Sequence, residues 1–516
     1  MIDNAFTTFN PNPPFYELGC EHPGGSPLRM HKEILLLTSF VLFFVYPFHL
    51  RAQVASSGYV IESVQYHIEG RTWEYALAKK IDFKVGMTFP NKEELEEFLQ
   101  DKQQLLINQR VLAEARITYT TTPRTDGSTG VHVDVFTVDT LNLIILPYFK
   151  FDSNKGLLLS IRTRDFNFLG SMETLKLDLD YTITTTKQNE FGQTLEFKVP
   201  FRLLDRDFKV GLSESLTYNA DDNTFDFSAV VSLDMDISFL QRIWTIGVSQ
   251  GYYYDDTDFY GDKYYYQTIL SFGTEFETPF TLGKWNHVLY SPKVYTKANY
   301  WPGKELSEER RGYGPGFYHE VSVERIDWVG NFRSGGSFSI GNDLYFDVPK
   351  NTWERKITWS FIGHRAFGWL QLSGRFNGLY AFDKDLGIAP DDDLGAPIRG
   401  ILDDRLVGNL VFYLNTDMFI KMWTWFMDPY LEIQAGPFFD YALTKRKNRA
   451  IDWKNDSWYG GGFQVLVFPR FARSLYIRGS IGWDLEAVLK DHRLTGTSSR
   501  DGFKRYEIFI GLGHHY

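Results

Sequence analysis

Apolar and polar residues alternate along most of this chain, in segments of about ten residues that each end in a turn. Residues 174–184 show the pattern best, because their leucines, Tyr181 and Ile183 fall on one face and Lys, Asp and Thr on the other. The charged face must contact water. A tilted strand needs about nine to eleven residues to cross a bilayer. The repeated pattern over residues 141–516 therefore predicts a mainly β chain whose core is a transmembrane antiparallel β-barrel, apolar outside and polar inside.

The same pattern sets the expected size of the barrel. It gives roughly eighteen candidate strands, of which the last covers residues 506–516. Bacterial barrels made from one chain usually have an even number of strands, so sixteen and eighteen are the two options. One or two candidates between residues 263 and 382 resemble loops or halves of one long strand. We therefore expect about sixteen strands.

Composition supports a barrel and excludes other classes. Aromatic residues make up 17% of the chain, as expected where aromatic girdles mark both membrane interfaces. No apolar run reaches the length of about 18 residues that a spanning helix requires, which argues against a helical membrane protein. The formal net charge of −11 argues against a nucleic-acid partner.

A targeting segment precedes the barrel. Residues 34–46 are almost entirely apolar, basic residues come just before them and small residues follow. This order predicts a secretory signal peptide at residues 30–57, which is too short to serve as a spanning helix. We expect residues 1–29 to be a disordered upstream extension, with translation starting at Met30; a genuine N-terminal tail is the alternative. The single cysteine, Cys20, lies in that extension, so the exported chain would contain no thiol.

Residues 58–140 have a different pattern from the barrel. Strand-like alternation at residues 60–68 is followed by two segments with helical spacing and then by two more strand-like runs. The order β-α-α-β-β over about 80 residues is enough for one small α+β core. Its strands leave edges that can pair with an incoming extended chain.

Four short motifs occur along the chain in a fixed order. They are residues 105–117 (LLINQRVLAEARI), 164–170 (RDFNFLG), 397–400 (PIRG) and 438–442 (FFDYA). Together with the order of the elements, they resemble the BamA/TamA-type outer-membrane assembly factors, in which periplasmic POTRA domains precede a sixteen-stranded barrel. The resemblance implies a POTRA-like domain at residues 58–140 in the periplasm and a barrel at residues 141–516 in the bacterial outer membrane. Two positions depart from the family pattern: Ile401 replaces an aromatic residue and Ala442 replaces a glycine.

The resemblance also implies a site inside the barrel. In the family, the R-G motif lies at the tip of a long loop that folds into the lumen, which places Arg399 and Gly400 there. An arginine in a crowded lumen needs a carboxylate and an aromatic ring, since its planar guanidinium can pair with the carboxylate and stack on the ring at the same time. Asp440 would supply the carboxylate, and Phe438, across a twist or bulge of the strand, the ring; Phe439 is the alternative. The alternative is that Arg399 is an ordinary solvated loop arginine.

The end of the last strand carries a second family feature. Gly511 and Gly513 lower the pairing strength of that strand, which would suit a barrel that opens between its first and last strands. Tyr516 looks like the C-terminal aromatic recognition signal of bacterial outer-membrane barrels. Alternation places Tyr516 on the same face as Ile508 and Ile510.

These features favour a protein that assists insertion of β-barrel proteins into the outer membrane, or their translocation across it. The expected partners are unfolded outer-membrane or secreted polypeptides, outer-membrane lipids and periplasmic accessory proteins. We expect no enzymatic activity and no catalytic, cofactor or metal site; the acidic residues 391–393 fit an outer loop better than a cation site. The alternatives are a two-partner exporter for one secreted protein, and a plain porin or adhesin.

Overall fold

The computed structural model describes residues 58–152, 156–184, 186–239, 242–256, 262–283, 286–308, 310–388, 396–401, 405–422, 430–471, 475–498, 502, 504–512 and 515–516. The predicted upstream extension and signal peptide, the acidic residues 391–393 and Gly513 lie outside this part of the chain.

The small α+β domain expected before the barrel is present, and we call it the module. Its elements are β1 (Tyr59–Glu69), α1 (Glu74–Ile81), β2 (Thr88–Phe89), α2 (Lys92–Asn108), β3 (Leu112–Pro123) and β4 (Thr129–Asp139). Sequence patterning missed only the two-residue strand β2. The sheet order is β2-β1-β4-β3, with β1 parallel to β4 and β3 antiparallel to β4.

Helix α2 shows why this segment folds as it does. The Asn91 side chain accepts a hydrogen bond of 2.8 Å from the Glu94 backbone N–H and so caps the helix. Acidic residues in the first turn stabilise the helix further, because they interact with the positive end of its dipole. Leu95 and Leu106 on its apolar stripe are fully buried, in one cluster with Val135 of β4. The hydrophobic core of the module continues into the rim of the barrel, since the same cluster includes Ile144, Phe166 and Met172.

The barrel follows as a meander of antiparallel strands. They are β5 (Leu143–Asp152), β6 (Gly156–Asp165), β7 (Leu175–Thr184), β8 (Asn189–Leu203), β9 (Arg206–Asn219), β10 (Thr224–Phe239), β11 (Arg242–Asp255), β12 (Tyr264–Thr274), β13 (Phe276–Leu282), β14 (Asn286–Tyr300), β15 (Tyr313–Val329), β16 (Phe332–Asp347), β17 (Thr352–Phe367), β18 (Leu370–Ala381), β21 (Leu410–Lys421), β22 (Leu431–Lys445), β23 (Ser457–Pro469), β24 (Ile477–Asp484) and β25 (Tyr506–Leu512). A separate ribbon of β19 (Leu386–Gly387) and β20 (Val407–Gly408) lies between β18 and β21, and α3 (Leu485–Asp491) lies between β24 and β25.

The expectation of about sixteen strands is wrong. In the described residues, β12 and β13 both pair with β14, so they are two halves of one interrupted strand and the barrel has eighteen strands. Every candidate segment became a strand. The doubtful ones between residues 263 and 382 each pair with a neighbour on both sides, although the register of β13 with β14 is irregular between Glu277 and Thr281. β25 lies beside β5 and completes the ring.

The alternating pattern sorts side chains as predicted. Leu159, Ile161 and Leu179 point outward and are 44–52% exposed, which fits a lipid-facing surface. On the same strands, Arg164 points into the lumen and makes a fork to both carboxylate oxygens of Asp178, one of them at 2.9 Å. The barrel is therefore apolar outside and charged inside.

The module rests on one rim of the barrel. The guanidinium of Arg110 lies 4.2 Å from the ring centre of Trp328, near the end of β15. Burial, together with the nearby Asp207 carboxylate, raises the pKa of Tyr75 to about 12, so its phenol stays neutral at this rim. Polar contacts join the two parts at separated points of the rim: Lys79 to Asp236 at 3.5 Å, Asp101 to Arg325 at 2.7 Å and Asn108 to Asp327 at 2.9 Å.

The helices are short. α1, α2 and α3 have 8, 17 and 7 residues. Among the described residues, none is long and apolar enough to cross a membrane.

Candidate lumen site

Residues 396–401, which we call the tip, lie inside the barrel. They belong to the long connection between β18 and β21 and are all buried. Ile398 and Ile401 anchor the tip by packing in one cluster with Leu406, Tyr413 and Ala442. The two departures from the family pattern, Ile401 and Ala442, thus belong to the same cluster, in which both are almost fully buried.

Arg399 is held by the wall of the barrel and is 3% exposed. Its Nε and Nη2 donate to the two carboxylate oxygens of Asp440 on β22, at 2.8 and 2.6 Å. The Arg399 backbone N–H donates to the same carboxylate at 2.9 Å. Asp440 is fully buried, so this bidentate, charge-assisted pair is closed to water. The structure thus brings together the arginine and the carboxylate that the sequence proposed as partners.

Two further partners were missing from the set predicted from the sequence. Asp417 on β21 accepts a hydrogen bond of 2.6 Å from Arg399 Nη1, and Gln464 on β23 accepts one of 3.0 Å from the same nitrogen. Gln464 also donates to Asp417 at 2.6 Å. Four of the five guanidinium N–H donors are therefore used. Neither Asp417 nor Gln464 lies in one of the four sequence motifs.

The aromatic partner is Phe438. The Arg399 guanidinium lies 3.7 Å from the centre of its ring. Phe439 is 42% exposed on the outer face of β22 and does not take part. Phe438 and Asp440 are two residues apart on a strand whose register with β23 is regular, so they share a face without any bulge.

Gly400 is required by its backbone and by its neighbours. Its φ is +88°, in the left-handed region, and a Cβ there would stand 2.6 Å from the backbone nitrogen of Trp483 on β24. The facing wall also needs glycines. A Cβ at Gly460 would lie 2.3 Å from the Arg399 carbonyl oxygen, and a Cβ at Gly482 would lie 2.8 Å from the Arg399 carbonyl carbon. The backbone of the tip therefore packs directly against glycines of the barrel wall.

The tip also contacts the last strand. The Gly400 backbone N–H donates to Glu507 on β25 at 2.9 Å, and Glu507 is buried. Gly511 lies directly opposite Arg478 of β24 and is buried. One short loop thus links β21, β22 and β23 to the strand that completes the ring.

Tyr516 lies elsewhere than the alternation predicted. β25 ends at Leu512, and the Tyr516 ring stacks inside the lumen on His364 of β17, with ring centres 6.0 Å apart. A strand pattern predicts a face only while the strand continues. Tyr516 therefore does not share the lipid-facing side of Ile508.

This arrangement can hold a loop against the barrel wall. One guanidinium is shared by two buried carboxylates and an amide, with a ring beneath it. A buried pair of this kind is costly to break, because the remaining partner keeps its desolvation cost without its counter-charge. The site thus fixes the tip to the wall of the barrel.

No protein-family model and no curated protein matches the chain. Among solved structures, the fold is similar to CdiB from Acinetobacter baumannii at 12% identity and a TM-score of 0.48, covering 88% of this chain and 73% of that one. It is similar to BamA from Haemophilus ducreyi lacking POTRA domains 1–3 at 11% identity and a TM-score of 0.37, covering 88% and 84%. It is also similar to CdiB from Escherichia coli at 10% identity and a TM-score of 0.39, covering 93% and 97%.

Proposed function

We propose that this protein assists the insertion of β-barrel proteins into the outer membrane, or the translocation of polypeptides across it. The observation that carries the proposal is the Arg399 site. A loop tip is fixed to the lumen wall by one arginine, and the same tip bonds to the last strand through Gly400 and Glu507. Release of the tip would free the strand at which the ring closes.

Loop lengths support an orientation in the membrane. The turns at the rim that contacts the module are short, whereas the connections at the other rim include residues 301–312, 382–409 and 485–505. Outer-membrane barrels have short periplasmic turns and longer extracellular loops. This difference supports our proposal that the module is a POTRA-like domain in the periplasm.

The module offers an edge to an extended polypeptide. β3 is an outer strand of the sheet, and among the described residues no strand pairs with its outer side. The Ile117 N–H points to that side, because it donates to the side chain of Gln103 at 3.0 Å instead of to β4. An unfolded substrate can add to such an edge through backbone hydrogen bonds. Val133 and Val135 lie on the inner strand β4, so substitutions there would not probe an edge.

The driving force needs no nucleotide. Strands that leave water for lipid bury their apolar faces, and closure satisfies their backbone groups. The partners would be unfolded outer-membrane or secreted polypeptides and outer-membrane lipids. Periplasmic accessory proteins would deliver the unfolded polypeptides.

A plain porin or adhesin explains the lumen site less well. An open pore has no use for a buried arginine shared by two carboxylates that fixes a loop across the lumen. A two-partner exporter for one secreted protein could use the same device, and substrate range separates it from an assembly factor.

Reconstitution tests the proposal. The full protein is placed in liposomes and an unfolded barrel protein is added with a periplasmic chaperone. We expect protease-protected, heat-modifiable product to form faster than in empty liposomes, and Arg399→Ala to remove most of the gain. Equal rates with and without the protein, for barrel and secreted substrates alike, would overturn the proposal.

A further inference from the structure

Two described residues that follow the last strand, His515 and Tyr516, lie inside the barrel. His515 is 3% exposed and, with Tyr516, contacts β16, β17 and β18 inside the lumen. In the ring order β25-β24-β23-β22-β21-β18-β17-β16, these strands are five, six and seven steps from β25. In an eighteen-strand ring, nine steps would be diametrically opposite. His515 and Tyr516, which we call the strap, therefore contact strands that are not neighbours of β25 in the ring.

Arg375 on β18 binds the His515 end of the strap. Its Nη1 donates to the His515 carbonyl oxygen at 3.2 Å, and its Nη2 lies 3.2 Å from His515 Nε2. The guanidinium also lies between two rings, 4.9 Å from the centre of Tyr516 and 5.1 Å from that of Tyr413. Both the backbone and the aromatic ring of the strap are thus recognised by one buried arginine.

A second arginine and a histidine bind the Tyr516 end. Arg333 on β16 donates from Nη2 to the Tyr516 main-chain oxygen at 2.6 Å. The imidazole of His364 on β17 stacks on the Tyr516 ring at an interplanar angle of 15°. His364 is itself 5% exposed.

The wall holds these groups in position by contacts that do not involve the strap. Arg375 Nε donates to Asn415 at 2.8 Å, and His364 Nδ1 lies 2.8 Å from Ser373 Oγ. Gln371, which is fully buried, donates to the same Ser373 hydroxyl at 2.7 Å. A preorganised site of this kind loses little conformational entropy when a ligand enters.

We propose that the lumen wall of β16–β18 is a binding site for a short peptide bearing a tyrosine, and that the chain's own strap occupies it and thereby restrains β25. The site recognises the aromatic ring between an imidazole and a guanidinium, and the main-chain oxygens through two arginines. The strap also touches the tip, since His515 Nε2 lies 3.3 Å from the Pro397 carbonyl oxygen. This binding site is independent of whether the protein inserts barrels.

A peptide in trans tests the site. The probe is a fluorescent peptide with the sequence of residues 510–516, and the receptor is the full barrel and module shortened to end after Leu512, in nanodiscs. We expect saturable binding to the shortened chain and none to the intact chain, whose site is filled. Arg375→Gln in the shortened chain, or leucine in place of tyrosine in the peptide, should weaken binding at least about tenfold. Equal binding to the shortened and intact chains, or no loss with either change, would overturn the proposal.

Hydrogen exchange in the intact chain supplies a second test, which holds even if the shortened chain does not assemble. Tyr516→Ala and Arg375→Gln should each raise exchange at Tyr506–Leu512, by about tenfold or more, and leave β22 unchanged. Arg355→Gln is the matched control, because Arg355 lies near the opposite end of β17 from His364 and forms an ion pair with Asp383 at 3.0 Å. Unchanged exchange in β25 for both strap variants would show that the strap does not restrain this strand.

Discussion

Removing the side chain of Arg399 should weaken the docking of the tip, and the burial of its partners sets the size of the effect. Arg399→Ala leaves Asp440, which is fully buried, and Asp417, which is 6% exposed, without their shared counter-charge. Loss of one partner of a buried pair costs about 3–5 kcal/mol. Since about 1.4 kcal/mol changes an equilibrium tenfold, the docked tip should become less favoured by roughly two to three and a half powers of ten.

The partners should not respond equally. Asp440→Ala should cost less than Arg399→Ala, because the guanidinium keeps Asp417 and Gln464. Arg399→Lys should rescue only part of the loss, since an ammonium cannot make the fork to Asp440 and lie flat on Phe438 together. The double change Arg399→Ala with Asp440→Ala should be less severe than the sum of the single changes.

Proteinase K digestion of the folded barrel in detergent measures the effect, with cleavage of the loop between β18 and β21 as the readout. The matched control is Arg355→Ala, which removes a partly exposed ion pair at the start of the same loop and should cost about 1 kcal/mol or less. If Arg399→Ala is cleaved no faster than Arg355→Ala, or if the effects of the Arg399 and Asp440 changes simply add, the tip is not held by this pair.

Further variants test the neighbouring parts of the account. Gly400→Ala should release the tip as Arg399→Ala does, because its φ is positive and Trp483 is too close, whereas Gly387→Ala should be silent, since its Cβ would meet only Val407 at 3.7 Å; the same digestion reports both. Thr121→Pro on the outer edge of β3 should slow insertion without changing the barrel, because it removes a donor that alternation from Ile117 directs outward; Thr121→Ala is its control, and equal rates would exclude this edge. N-terminal sequencing of the mature protein should find residues 34–46 removed, and their retention would refute the signal peptide. On gels the unheated protein should migrate faster than the boiled protein, and identical mobility would speak against a closed barrel.

The fold was largely predictable because its main signal is local. Alternation with a period of two appears within each segment, as in residues 174–184, and requires no knowledge of which strands are neighbours. The number of strands depends instead on whether an irregular segment keeps its partners. Phe276–Leu282 still pairs with β14 after the break, so this irregular segment continues a strand of the barrel and the number of strands stays at eighteen.

The site was predictable only in part. Arg399, Gly400 and Asp440 lie in motifs that stand out in the sequence, and the structure brings them together. Gln464 is one polar residue on the wet face of an ordinary strand, and its role comes from the register that places β23 beside β22. The turn of Tyr516 into the lumen was hidden for a similar reason: its partners are on strands far away in sequence, and the alternating pattern does not mark where β25 ends.

Depletion of the protein from its host, followed by an inventory of outer-membrane proteins, tests the central claim most directly. We predict a general loss of barrel proteins from the outer membrane and a rise of their unfolded forms in the periplasm, restored by the wild-type chain and by Arg355→Ala but not by Arg399→Ala. Loss of a single secreted protein would assign the chain to export instead. An unchanged inventory of both barrel and secreted proteins would contradict the account.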